Sequence, residues 1–210
     1  MIPAALQAVA QAIKNGTVQL PSGSGDARRD AAMSEGNIIS FLQNQNKWTI
    51  TSPNIGSAHD RSWYDMQVDD FYCDIKVSEL LGNDNTNAKK AVYYLLTGKD
   101  PAGVPEQQSR FFKSMSENES EDEERDFYFL VVKKPSADDA FIVSLKGITE
   151  LTPSHNNPPF QCKWDNCRTP KKRTWKQARQ FLLEHWAHSV RKGIETWEKG
   201  MPKYYGEFFP

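Results

Sequence analysis

The chain has little cysteine, no long hydrophobic run and almost no net charge. Its three cysteines, Cys73, Cys162 and Cys167, are too few, and odd in number, for a disulfide framework. They fit a reducing cytoplasm. No apolar run approaches the roughly 20 residues that cross a bilayer, so no membrane span is expected. Ile2 to Ile13 is amphipathic and lacks a charged start and a cleavage-like end, so it reads as a helix of the mature protein. Twenty-six basic residues against 27 acidic ones leave a net charge of -1. A sum that small argues neither for nor against a nucleic-acid partner, because the location of charge matters more than its total.

The location is uneven. Residues 116–126 form an acidic loop, whereas 163–192 hold Lys163, Arg168, Lys171, Lys172, Arg173, Lys176, Arg179, Arg191 and Lys192. Between these, hydrophobic periodicity predicts a helix over 3–14 and another from about Ala27 to Asn44. A short strand is expected at 47–51, a helix over about 88–96 after a polar turn at 83–87, strands at 126–133 and 140–145, and a short strand near 160–164. A final helix is expected from Thr174 to about Trp197. At 210 residues the chain is expected to form one domain, 1–210. The order of elements predicts an α/β (α+β) fold with a central mixed β-sheet flanked by helices.

The clearest local signal is a hairpin over 62–77. Ser62 to Val68 and Phe71 to Val77 are rich in aromatic and β-branched residues, and Asp69-Asp70 stands between them as a two-residue turn. In that register Val68 opposes Phe71, Met66 opposes Cys73 and Asp65 opposes Asp74. Opposed Cβ atoms lie roughly 4.5–5.5 Å apart, and like charges so placed are destabilising. A divalent cation bridging both acids is the natural compensation, since Mg²⁺ takes oxygen ligands and often uses one or two carboxylates. Lys76, two residues past Asp74, shares its face. It is suited to orient an attacking water or to stabilise charge developing on a phosphate. A turn one residue longer would move Asp65 off the face, with Asp60, Asp69 and Asp70 as the fallback acids. Asp-x-Lys alone is also compatible with an ordinary charged strand face.

Asp65…Asp74-Ile75-Lys76 resembles the motif of the PD-(D/E)XK nucleases, an acid on one strand followed by Asp/Glu-x-Lys on the next. The wider string from Trp63 to Val77 looks like the active-site hairpin of type II restriction endonucleases of the EcoRV and HincII kind, with Tyr64 where a proline is usual. The resemblance covers most of residues 27–197 in order of elements, but only the hairpin is specific. It implies a restriction-endonuclease-like fold and Mg²⁺-dependent hydrolysis of double-stranded DNA to 5′-phosphate ends. It also implies Mg²⁺ on Asp65, Asp74 and the Ile75 carbonyl, with Mn²⁺ as a substitute and Ca²⁺ binding without turnover. Glu35, on the preceding helix, is the candidate for a further acid. A palindromic target implies a homodimer, with the N-terminal helix or the Glu35 helix as its surface, in a bacterial or archaeal cytoplasm. The tight turn and the resemblance incline the product to blunt ends.

The loop 163–173 is the expected reader of DNA, with Asn166, Arg168, Lys171, Lys172 and Arg173 as contacts, since Arg, Asn and Lys pair with base edges or phosphates. A plain basic turn capped by Thr174 is the other reading. Asn85, Asn87, Lys89 and Lys90 are candidates beside the cut. Ser34 to Asn37 and Gln43 to Lys47 are weaker ones. His155, Cys162 and Cys167, with Asp165 or His185, lie close enough in sequence for zinc but lack paired ligand spacings. A repair or recombination nuclease of the same fold and a non-catalytic DNA-binding module stay open beside the restriction reading.

Overall fold

The computed structural model describes residues 1–21, 25–53, 62–156 and 159–205. The chain opens with α1 (Ala4–Asn15) and α2 (Ala27–Asn44). The strands β1 (Ile50–Thr51), β2 (Met66–Val68), β3 (Phe71–Ser78) and β4 (Asp84–Asn85) follow, then α3 (Lys89–Thr97) and α4 (Gln108–Glu117). Next come β5 (Tyr128–Lys133), β6 (Ala140–Ser144), β7 (Thr152–Pro153), β8 (Phe160–Cys162), a 3₁₀ turn (Trp164–Cys167) and α5 (Trp175–Tyr205). The main sheet has the order β1-β2-β3-β5-β6. It is mixed: β3 and β5 run parallel, and the other pairs are antiparallel. The expected mixed α/β architecture is therefore present.

Period-two alternation divides the sheet between two cores. Cys73, Ile75, Leu130, Val132 and Ile142 pack with Leu6, Val9, Ile13, Ile38 and Leu42 of α1 and α2. Phe129, Val131 and Val143 face the other way, onto Leu95, Leu96, Phe111, Leu182 and Trp186 of α3, α4 and α5. Helices thus cover both faces. Gly98, in the left-handed region at φ 70°, closes α3 and donates its N–H to the Tyr94 carbonyl. A side chain at that φ would be strained.

Three features depart from the sequence-based expectation. Residues 108–117 form α4, whose Phe111 and Met115 are buried one turn apart; the acidic segment begins as the end of this helix. A second sheet, β4-β8-β7, stands apart from the first, and its β4 occupies part of the expected polar turn. Finally, α5 continues eight residues past Trp197.

Candidate active site

The hairpin has the expected turn. Val68 pairs with Phe71 and Met66 with Cys73. Asp69 takes φ 51°, a conformation Asp tolerates better than most residues. Its N–H donates to the Thr49 carbonyl at 2.9 Å and its Oδ1 accepts from the Thr49 N–H at 3.1 Å, which ties the turn to the chain entering β1.

The strands then separate. β2 has three residues, so it covers β3 only as far as Cys73, while β5 accompanies β3 from Cys73 to Ser78. Asp65 does not face Asp74 as a paired strand residue, which corrects the simple register. Its N–H donates to the Cys73 carbonyl at 3.0 Å, so Asp65 and Met66 are both set against Cys73, the residue count of a β-bulge. A bulge re-aims the side chain beside it. The Asp65 carboxylate reaches past the end of β2 and accepts the Ile75 N–H at 2.7 Å through Oδ2. The Ile75 carbonyl leaves β3 on that same edge.

An aromatic cluster holds this approach. Trp63 and Tyr64 stack on Tyr72 at 4.6 and 4.8 Å between ring centroids, and Trp63 also meets Tyr94 of α3 at 4.9 Å. Ser52 Oγ donates to the Asp65 carbonyl at 2.7 Å. The same aromatic residues that make the hairpin legible in the sequence thus fix the residue before Asp65.

Asp74 and Lys76 share a face, as period two requires. Lys76 Nζ stands 2.7 Å from Asp74 Oδ2, with the side chains 17% and 15% exposed. Glu35, on α2, lines a cleft of about 840 Å³ together with Ile75 and Lys76. Burial, then the charges of Asp74 and Glu35, push the Asp65 carboxyl well above its ordinary range; Lys76 and the Ile75 N–H only partly offset them. Burial works against the Lys76 ammonium, but Asp74 and Asp65 outweigh it and raise its pKa. Lys76 is therefore held as a cation at neutral pH. Asp74 and Glu35 thus bring like charge to bear on Asp65 in a poorly solvated place.

A divalent cation fits that donor set. Asp65 and Asp74 supply two carboxylates, the number Mg²⁺ commonly takes from protein, and the Ile75 carbonyl adds a neutral oxygen. Among the described residues no three His, Cys, Asp or Glu side chains close on one point as a ligand set. The zinc candidates fall under the same statement. Cys162 and Cys167 are buried and hydrogen-bonded to each other, and the Cys162 thiol holds that of Cys167 down to about 6.

The cleft also contains Asn85 and Asn87, two of the expected DNA contacts. Asn85 Oδ1 accepts from Gln161 Nε2 at 2.8 Å across the small sheet. Lys89 and Lys90 turn elsewhere, each 3.3 Å from Glu106. The segment 163–173 divides in two. Arg168 pairs with Asp139 at 2.5 Å and Asp165 at 2.7 Å and lies over the Phe141 ring. Arg173 donates to the Ile148 carbonyl at 2.6 Å and covers Phe181. Asn166 Nδ2 donates to Glu150 at 2.7 Å. Lys171 and Lys172 remain exposed.

Of the fallback acids, Asp69 serves the turn and Asp60 lies outside the described residues. Asp30, Ser34, Asp84 and Lys134 also line the cleft. Of these, Ser34 was a weak sequence candidate, and the other three carried no motif that would single them out. Among the described residues no helix is long and apolar enough to cross a membrane. No family model and no curated protein matches the chain.

Proposed function

We propose that the protein is a Mg²⁺-dependent endonuclease that hydrolyses phosphodiester bonds in double-stranded DNA, of the type II restriction kind. The observation that carries this reading is Asp74 paired with Lys76 beside Asp65, held on the Ile75 N–H where β2 leaves β3, with Glu35 near enough to act on Asp65. Glu35, Ile75 and Lys76 line a cleft that Asn85 and Asn87 line as well. Asp65 and Asp74 would hold Mg²⁺ with the Ile75 carbonyl, and the bound ion supplies a Lewis acid that polarises the scissile phosphate.

The remaining chemistry belongs to the side chains. Lys76 keeps its proton, orients Asp74 and presents a cation to the charge that grows on the phosphoryl oxygens. Asp65 is held by the Ile75 N–H, so its second oxygen is directed without reorganisation at the time of reaction. Glu35 adds negative charge that favours cation capture. Asn85 and Asn87 would touch the DNA beside the cut. Lys171 and Lys172 would meet phosphates, while Arg168, Arg173 and Asn166 shape the loop that presents them. A sequence-specific paired cut calls for a two-fold homodimer.

Incubation of mixed plasmid DNA with Mg²⁺, followed by sequencing of the ends, tests the proposal. Discrete fragments with 5′-phosphate ends are expected. A smear or end-dependent loss would favour a repair nuclease. Protein that never cleaves with Mg²⁺ or Mn²⁺ would sink the catalytic reading.

A further inference from the structure

The first half of α5 is packed against the body: Trp175, Ala178, Leu182, Trp186 and Ser189 are buried. Beyond Ser189 the helix emerges, yet it does not become uniformly polar. Val190, Ile194 and Trp197 are 39%, 52% and 71% exposed. They recur at steps of four and three residues, the a/d spacing of a coiled coil, whereas Leu183, earlier on the same stripe, packs against the core. This stripe starts one residue round from the buried line through Leu182, Trp186 and Ser189. It therefore lies about 100° from the face that meets the body. A single exposed apolar residue is ordinary, but three on one seam of a projecting helix are not a solvated face.

We propose that this seam is a dimer contact, in which α5 packs antiparallel on the same helix of a second copy. The flanking residues select both partner and direction. When Ile194 is set against Trp197 of the partner subunit, antiparallel geometry brings Arg191 opposite Glu198 of the partner subunit, twice by symmetry. In a parallel pair these flanks would bring Arg191 against Trp186 of the partner subunit and Glu198 against Gly193 of the partner subunit, and both charges would go unanswered. Among the described residues neither Arg191 nor Glu198 has an ion partner in its own chain. The surrounding signs are mixed, with Lys192, Glu195 and Lys199, which does not make a basic face for nucleic acid. The contact stands whether or not the protein cuts DNA; only its use, a paired cut, rests on the nuclease reading.

Sedimentation or light scattering on the full chain at tens of micromolar tests this contact. The expected mass is twice the 23.9 kDa of the chain. Trp197→Ala should give a monomer with unchanged circular dichroism, since that side chain lies outside the core. Arg191→Glu should weaken dimerisation about tenfold, by turning two attractions into repulsions, and Arg191→Glu with Glu198→Arg should restore it. A monomeric wild type would overturn the proposal. So would a dimer indifferent to Trp197→Ala and to both charge variants. A dimer that never cuts DNA leaves this contact intact and removes the nuclease; a nuclease that is always a monomer does the reverse.

Discussion

Two acids in this molecule each stand one or two residues before a strand, and burial raises the pKa of both. Asp126 precedes β5, and its carboxyl is pushed up to about 6. It is also fully served: Oδ1 accepts from the Phe127 N–H at 2.8 Å and the Lys146 N–H at 2.9 Å, and Oδ2 accepts from Ser144 Oγ at 2.5 Å. Asp65 precedes β2, accepts one hydrogen bond from Ile75, and has Asp74 and Glu35 acting against it. The first acid ties β5 to the turn after β6 through hydrogen bonds its neighbours donate. The second is buried beside like charge, which Lys76 and the Ile75 N–H offset only in part. Burial alone therefore does not mark a functional carboxylate, whereas burial beside like charge does.

The largest expected effect separates the two places by activity, with Asp74 standing for the site of Asp65. Asp74→Ala should lower Mg²⁺-dependent DNA cleavage by about a thousandfold, in line with the loss of one preorganised electrostatic partner, while DNA binding in Ca²⁺ persists in a gel-shift assay. Asp126→Asn should leave cleavage within a few-fold of wild type, and an equal loss in both would erase the distinction.

Stability should separate them in the opposite sense. Asp126→Ala strands three donors and should cost about 2–4 kcal/mol, read as a melting temperature lower by roughly 5–15 °C for a chain of this size. Asp126→Asn keeps an oxygen for the two N–H donors and should stay within about 1 kcal/mol.

Asp65→Asn should raise the melting temperature at pH 7.5 while abolishing cleavage. The folded pKa of Asp65 lies above its unfolded value, so the native state holds the proton more tightly. The stability this confers is present in acid and is lost as pH rises through the folded pKa. The gap between Asp65→Asn and wild type should therefore shrink as pH falls through the carboxylate range. Asp126 obeys the same sign, and its share of stability is lost between about 4 and 6. A variant Asp65→Asn that melts lower at pH 7.5 would show that the acid is supported rather than stressed.

The smallest effect concerns the basic segment. Lys171→Ala and Lys172→Ala should each weaken DNA binding several-fold at all sequences and lower the slope of log affinity against log salt by about 1. Arg168→Ala should act through loss of its pairing with Asp139 and its packing on Phe141, and so lower the melting temperature as well.

The hairpin was legible because period two, a two-residue turn and clustered aromatics all act within sixteen residues. Asp74 and Lys76 follow from the period alone. The reach of Asp65 to the Ile75 N–H was not legible, because it depends on β2 ending early and on the offset at Cys73. The resemblance singled out Glu35 before the structure put it in the cleft, but helix periodicity could not, since α2 must first pack on the sheet. Strands β4 and β7 have two residues each, too short for a period, and β4 exists through pairing with β8, 76 residues away at Asn85 and Gln161. α4 begins at Gln108 without a side-chain cap and runs into the acidic stretch, which hid its two core residues. Arg168 and Arg173 read as free cations because Asp139, Phe141 and Phe181, which engage them, lie 29, 27 and 8 residues away in the sequence.

Thermal melting with and without millimolar Mg²⁺ or Ca²⁺ at pH 7.5 shows whether a divalent cation completes the Asp65–Asp74 pair. The metal should raise the melting temperature of the wild type and of Asp126→Asn, and do nothing for Asp65→Asn or Asp74→Asn. A rise of equal size in all four proteins, or none in the wild type, would mean that the pair holds no cation.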